Sequence, residues 1–375
     1  MESNKELRRK TRDSAIILDK NIVLLDYKNN YNLDGLLKEG VSNIAELITY
    51  VAKLSKYKES DFTIGTAKGG GCSAFNAFTP DGDYIMGRNF DFKTAPCLVI
   101  WTHPEGNYSS LAVVDNNFIT YGNKHNVFNG RHTAQLLLSP YCCVDGINEK
   151  GLSIAVLQIR AKATKQTDPA KKDIITTAMV RAVLDTCANV DEAVELFKKY
   201  NMHDSLYCCY HYFISDSTGR TVIVEFIDNK INVYEKNSDK YTVKNSVFEN
   251  DGQKLTYMTN YTITKDIGSF KVEQHGYDRT DAIKNAFTQK QDVMTELEAM
   301  DLLSHVKLDY DHPKYPWRIE ALWSAVYNTT KCTMKIAAGM DYKKVYTFSV
   351  EEPCKVLDTE SIDKSEYPAV EWDYL

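Results

Sequence analysis

A cysteine stands directly after three glycines, in Gly69-Gly70-Gly71-Cys72, and opens the segment CSAFNAFTPDGDYIMGRNFDF. A thiol becomes a strong nucleophile once it loses its proton, and glycines let the backbone bend and let another group approach closely. Arg88 follows sixteen residues after Cys72, and Asp91 three residues after that. Residues 73–79 and 84–90 read as strands on either side of Pro80-Asp81-Gly82-Asp83, which predicts a hairpin. A hairpin returns its far strand beside its near one, so Arg88 and Asp91 are expected close to Cys72. There a guanidinium would steady a thiolate, and a carboxylate would hold an ammonium or amine in place.

The elements that must position these residues are legible in outline. Ile44, Leu47, Ile48, Val51 and Leu54 recur at helical spacing, and Asn43 with Glu46 resembles a capping box, so residues 43–54 are expected as a helix. From Cys72 onward the pattern turns to strands. Further strands are expected at 97–101 and 109–114, then a hairpin around Asn148-Glu149-Lys150-Gly151 with 152–159 as its return. Helices are expected at 173–186 and 191–200. A meander of three strands follows at 210–215, 221–227 and 231–234, with turns at Asp216-Ser217-Thr218-Gly219 and Asp228-Asn229-Lys230. Two more helices, at 279–287 and 295–306, precede strands at 322–328, 332–338 and 345–350. Strands alternating with helix pairs predict α+β layers, not regular βαβ winding.

Composition narrows the class. The chain has 375 residues, of which 43% are hydrophobic and 26% charged, a globular balance with enough length for a sizeable core. A net charge of −6 argues against a nucleic-acid groove. No apolar run approaches a membrane span. Ile16, Ile17 and Leu18 are followed at once by Asp19 and Lys20, which is no signal-peptide core, so a cytoplasmic enzyme is expected. The odd number of cysteines, nine, suggests free thiols. No CxxC or HExxH spacing points to a metal, and Cys142-Cys143 and Cys208-Cys209 read as buried small hydrophobes.

The segment from 69 to 92 resembles the start of the mature chain in the choloylglycine hydrolase superfamily of N-terminal-nucleophile enzymes. That group includes bile salt hydrolases, penicillin V acylases, acid ceramidase-like amidases and penicillin acyltransferases. The shared pattern is a Cys, a short strand, a D-G turn and G-R-N-x-D, here Cys72, Asp81-Gly82 and Gly87-Arg88-Asn89-Phe90-Asp91. Asp145-Gly146-Ile147-Asn148-Glu149-Lys150-Gly151-Leu152 is similar to the family's D-G-x-N-E-x-G-L hairpin. Six residues past that Leu, Gln158 stands where bile salt hydrolases carry Asn, which draws the expected substrate away from bile salts. Thr259-Asn260 resembles the family's T-N, and Arg279, in Gly276-Tyr277-Asp278-Arg279, its later supporting Arg. The similarity runs from about residue 72 to 350.

The resemblance implies a four-layer αββα sandwich with two stacked antiparallel sheets. It implies self-cleavage between Gly71 and Cys72, with residues 1–71 a helical pro-segment and 72–375 the hydrolase domain. It further implies that Cys72, Arg88, Asp91, Asn260 and Arg279 are active-site residues, with a backbone N–H near Gln158 in the oxyanion hole. The expected reaction is hydrolysis of a linear amide in a small N-acyl compound, with no metal or organic cofactor and no nucleic-acid or membrane partner. The long leader favours the ceramidase-like and acyltransferase branch, in which the released pro-segment stays as a partner of the core. An acyltransferase with the same site and an inactive homologue used as a binding module remain alternatives; homo-oligomerisation stays open.

Overall fold

The computed structural model describes residues 3–62, 64, 70–120, 133–159, 161–205, 208–237, 240–243, 246–249, 256–264, 276–311, 316–367 and 370. Gly69 and residues 312–315 lie outside the described residues.

Two sheets face each other. In the eight-stranded sheet the strand Gly71–Phe78, which carries Cys72, lies between Tyr257–Met258 and Tyr84–Lys93, and Arg318–Asn328, Thr333–Ala338, Val345–Ser349 and Asp358–Glu360 follow outward. The eighth strand, Asp309–Asp311, pairs with Arg318–Asn328. Side chains alternate across this sheet as period-2 geometry requires. Ala74, Met86, Ala325 and Tyr327 join the core between the sheets. Phe75, Ile85 and Val326 face a second core with Ile283, Phe287 and Leu303 of helices Tyr277–Lys290 and Glu296–His305. Both faces are therefore covered, which explains the nearly continuous burial of these strands.

The eleven-stranded sheet includes Cys97–Thr102, Ser110–Asp115, Cys143–Asn148, Ser153–Ile159, Cys209–Ser215 and Thr221–Ile227 in that order. Helix Thr176–Thr186 packs on Cys143–Asn148 and Ser153–Ile159, and helix Val190–Lys199 on Thr221–Ile227. Helix, sheet, sheet and helix make the expected four-layer αββα sandwich. The expected elements are present within a few residues, with two differences of kind. Residues 173–175 continue a short strand, Lys172–Ile175, parallel to Tyr200–His203, before the helix begins at Thr176.

The second difference lies in the leader, which is more than helical. Helices Asn4–Asp13, Leu33–Glu39 and Ile44–Ser55 are present, the last with the Asn43 side chain accepting from the Glu46 N–H at 3.0 Å. Between the first two, Ile22–Tyr27 is a fully buried strand parallel to Cys97–Thr102, and Ile16–Ile17 pairs with it. The leader thus supplies the edge of the larger sheet.

Candidate active site

Register assembles the site. Cys72 pairs with Phe90, Ala74 with Arg88 and Gly71 with Asp91. Directly paired residues share a face, so Cys72 and Arg88 are diagonal neighbours on the face toward the other sheet. Asp91 projects from the opposite face, near Leu308. A bulge in Arg318–Asn328, between Ala321 and Trp323, sits beside Asp91 and lets Trp323 stack on Phe90 with ring centroids 4.4 Å apart. Bulges next to functional strands re-aim side chains in this way.

Arg88 is fully buried and reaches across the gap between sheets. Its Nε donates to Asp145 Oδ2 at 2.9 Å, its Nη2 to the Val156 carbonyl at 2.8 Å and its Nη1 to the Asn89 carbonyl. Burial would lower its pKa, but the adjoining Cys72 thiol and Asp145 carboxylate override this and hold it above the ordinary arginine value. Asp145 also accepts from Trp323 Nε1 at 3.1 Å and Tyr327 Oη at 2.5 Å, so both its oxygens are partnered, although burial still holds its carboxyl above the ordinary value. The sequence marked Asp145 only as part of a hairpin motif; its part in fixing Arg88 depends on contacts between sheets that spacing does not reveal.

Asn260 and Arg279 meet Cys72 from other elements. The Cys72 backbone N–H donates to Asn260 Oδ1 at 2.8 Å, while Asn260 Nδ2 donates to the Gln158 carbonyl at 2.6 Å. Arg279 Nη1 donates to the Cys72 carbonyl at 2.8 Å and to Ser73 Oγ at 3.0 Å, and its Nη2 to Asn260 Oδ1 at 2.7 Å. Two donors facing Oδ1 and a carbonyl facing Nδ2 fix the orientation of the Asn260 amide. Gln158 thus touches the site through its carbonyl oxygen. Its side chain instead donates to Cys208 Sγ at 3.0 Å.

Asp91 is buried, with Oδ1 accepting from the Leu308 N–H at 3.3 Å. Its Oδ2 takes no hydrogen bond, and Arg279 Nη1 lies 3.7 Å away. Burial pushes its carboxyl up to about 6, with Arg279 opposing the shift. Gly70 precedes the site at φ +122°, where a Cβ would fall 2.6 Å from the Asp91 carbonyl oxygen. A residue with a side chain has no room or conformational freedom there.

A cleft of about 550 Å³, counting space that opens to solvent, runs from Cys72, Gly71 and Asp91 past Phe90, Phe92, Phe118, Val144 and Val156 to Gln158, Tyr210, Thr176, Thr177 and Ser205. Cys208 also lines it and is only partly buried. This corrects the expectation that both members of Cys208-Cys209 are buried hydrophobes; Cys209 alone fits it. All nine cysteines are free thiols. Among the described residues no cluster of His, Cys, Asp or Glu could hold a metal, and no helix is long and apolar enough to cross a membrane.

Fold and site together define an N-terminal-nucleophile amide hydrolase architecture. The sequence profile of the linear amide C-N hydrolases, choloylglycine hydrolase family, matches residues 72–291, more than half of the chain, and the chain belongs to that family. A penicillin V acylase of Pectobacterium atrosepticum is 26% identical over 219 residues, 52% of this chain and 54% of that protein. A bile salt hydrolase/transferase of Clostridium perfringens is 26% identical over 178 residues, 44% of this chain and 51% of that protein. The chain therefore spans about half the length of the curated relatives it matches. Among solved structures, a conjugated bile acid hydrolase from Clostridium perfringens shares the fold at a TM-score of 0.51 with 15% identity, over 78% of this chain and 98% of that one. A penicillin V acylase from Agrobacterium tumefaciens does so at 0.52 with 18% identity, over 75% and 87%.

Proposed function

We propose that this protein hydrolyses a linear amide bond in small N-acyl compounds, with Cys72 as nucleophile after the chain cuts itself at Gly71–Cys72. The observation that carries this reading is the setting of the Cys72 backbone nitrogen. That atom would become the α-amine, and it is held by Asn260 at 2.8 Å on the strand position next to Gly71, whose partner Asp91 keeps a buried oxygen without a hydrogen bond. An ammonium formed there would supply the missing donor.

In the cleavage step, Cys72 Sγ attacks the Gly71 carbonyl carbon. The peptide C–N bond breaks as the nitrogen takes up the thiol proton, leaving a thioester. Water hydrolyses it, so Gly71 departs as a carboxylate and Cys72 keeps a free amine and thiol. A free α-amine has a pKa of about 7.7–8.0, so near neutral pH it can take the thiol proton. The thiolate, beside Arg88, attacks the substrate carbonyl. Asn260 Nδ2 and a backbone N–H near Gln158 stabilise the oxyanion, each such donor being worth roughly 10²–10³ in rate. The ammonium, oriented by Asp91, protonates the leaving nitrogen, and water clears the acyl-enzyme. Arg279 positions Cys72 and Asn260. No step calls for a cofactor.

Intact mass of the purified protein tests the cleavage, with fragments of residues 1–71 and 72–375 expected and Cys72→Ala remaining whole. A panel of N-acyl amides, penicillin V and conjugated bile acids tests the reaction. Activity that survives Cys72→Ala sinks the proposal; acyl products formed with added amines would make it a transferase.

A further inference from the structure

The far wall of the cleft is polar where the rest is apolar. Helix Thr176–Thr186 starts there, and Ile175 before it is extended and offers no side-chain cap, so the first-turn N–H groups have no side-chain acceptor at the cap position. Helix N-termini favour acceptor oxygens. The second observation is independent. Ser205 is 4% exposed and lines the cleft, and among the described residues its buried Oγ has no hydrogen-bond partner. A buried hydroxyl left unpaired costs stability, about 1–3 kcal/mol, unless something else supplies its partner.

Neighbouring groups explain why the protein does not satisfy that hydroxyl itself. The Thr176 Oγ1 is occupied, accepting from the Ser205 N–H at 3.1 Å and hydrogen-bonded to Asp204. The Tyr210 hydroxyl donates to the Ser205 carbonyl at 3.0 Å, which fixes the residue's backbone without reaching its side chain. Thr177 completes the wall. The uncapped N–H groups add donors to hydroxyls that can either donate or accept, so the wall suits a ligand oxygen. Asp204, half-buried beside Thr176, has its carboxyl pushed up to about 7 by burial, so above that pH it adds negative charge that disfavours an anion.

We propose that this wall is a subsite for a neutral oxygen, as hydroxyl, ether or carbonyl, carried on the otherwise apolar acyl group of the substrate. The proposal rests on the reading of Cys72 as the nucleophile of an N-acyl amide hydrolase. It narrows the substrate class from apolar acyl groups to oxygenated ones.

The test uses amides of one amine whose acyl chains carry, at successive positions, a hydroxyl, a methyl or a carboxylate. In the wild type the best hydroxylated amide is expected to exceed its methyl counterpart about tenfold in kcat/KM, the size of one buried hydrogen bond. Ser205→Ala should bring that ratio near unity. A ratio that survives Ser205→Ala, or no preference in the wild type, overturns the subsite; a carboxylate as the best group overturns its neutral character. Calorimetric binding of the same amides to the uncut Cys72→Ala chain separates the two readings. Ser205-dependent binding without turnover by the wild type would remove the hydrolase and keep the subsite.

Discussion

Arg88 carries a charge into a place without water, and only paired acceptors make that tolerable. Its three nitrogens meet Asp145 and two carbonyls in directions that a planar fork matches and an ammonium does not. Arg88→Lys is therefore expected to lower kcat/KM by about 10²-fold or more, and Arg88→Ala to destabilise the fold by about 3–5 kcal/mol because Asp145 is left buried without its cation. Steady-state kinetics and urea unfolding check both, and wild-type turnover in Arg88→Lys would count against a role beside the thiol. Asp91 gives a prediction in pH. Burial raises its folded pKa from 3.8 to about 6, so in the uncut chain the neutral acid is the favoured form below about pH 6. Its stabilising contribution is complete below pH 3.8 and is lost as pH rises through about 6. In the uncut Cys72→Ala background, Asp91→Asn should become progressively more favourable relative to Asp91 between those values. Unfolding at pH 4, 5 and 7.5 reads this, and a pH-independent difference would show that Asp91 is not held in a charge-disfavouring site. The sequence disclosed Cys72, Arg88 and Asp91 because a hairpin couples them locally. Asp145 and Ser205 were not disclosed, because their roles depend on contacts between layers.

The segment that carries Asn260 shows what an element must do to present one side chain. Tyr257–Met258 adds an edge to the strand that carries Cys72, with Tyr257 opposite Phe75 and Met258 opposite Ala74. Just past Asn260, two buried side chains of the other sheet grip the backbone. His211 Nε2 donates to the Tyr261 carbonyl at 2.6 Å, and Glu225 accepts from the N–H groups of Ile263 and Thr264 at 2.9 and 3.0 Å and from the Thr264 hydroxyl. His211 Nδ1 and Glu225 Oε1 lie 3.3 Å apart, and both side chains are fully buried. Burial pushes His211 below its ordinary pKa although Glu225 opposes the shift. Glu225→Gln exchanges one acceptor oxygen for a donor, leaving a backbone N–H unmet at a cost of about 1–3 kcal/mol, and should cut kcat about tenfold with little change in KM. A rise in KM with kcat intact would instead place the segment in substrate binding. Both residues sit in strands that the turns at 216–219 and 228–230 marked in the sequence, but placing a strand does not name its partner. Residues 210–215 and 221–227 were expected as strands; their fastening of residues 261–264 was not.

At the scale of the whole molecule the leader is the part that sequence pattern described least well. Its helix at 43–54 announced itself by period and cap, whereas IVLLDY, a short unbroken apolar run, has no period to separate a buried strand from a helix segment. In the structure that run, Ile22–Tyr27, is hydrogen-bonded to Cys97–Thr102 along its length. Beyond it, Tyr31 Oη donates to Asp185 Oδ2 at 2.6 Å, and Asp185 pairs with buried Arg181 at 2.9 Å, a network shared between leader and core. Val41 N–H donates to the Asp173 carbonyl at 2.8 Å, and Asn21 accepts at its carbonyl from Cys97 N–H at 2.9 Å. Removing the leader would expose a long sheet edge and an apolar face, both of which favour aggregation. Cleavage at Gly71–Cys72 should therefore nick the chain without dividing the molecule. Two fragments resolved by denaturing electrophoresis should co-elute in native size exclusion and separate only with denaturant. Tyr31→Phe, which leaves Asp185 one donor short, should lower the denaturant needed for that separation. Should the 72–375 fragment elute alone, folded and active, the leader would be a disposable cover, and the sheet edge it supplies would have no part in the mature enzyme.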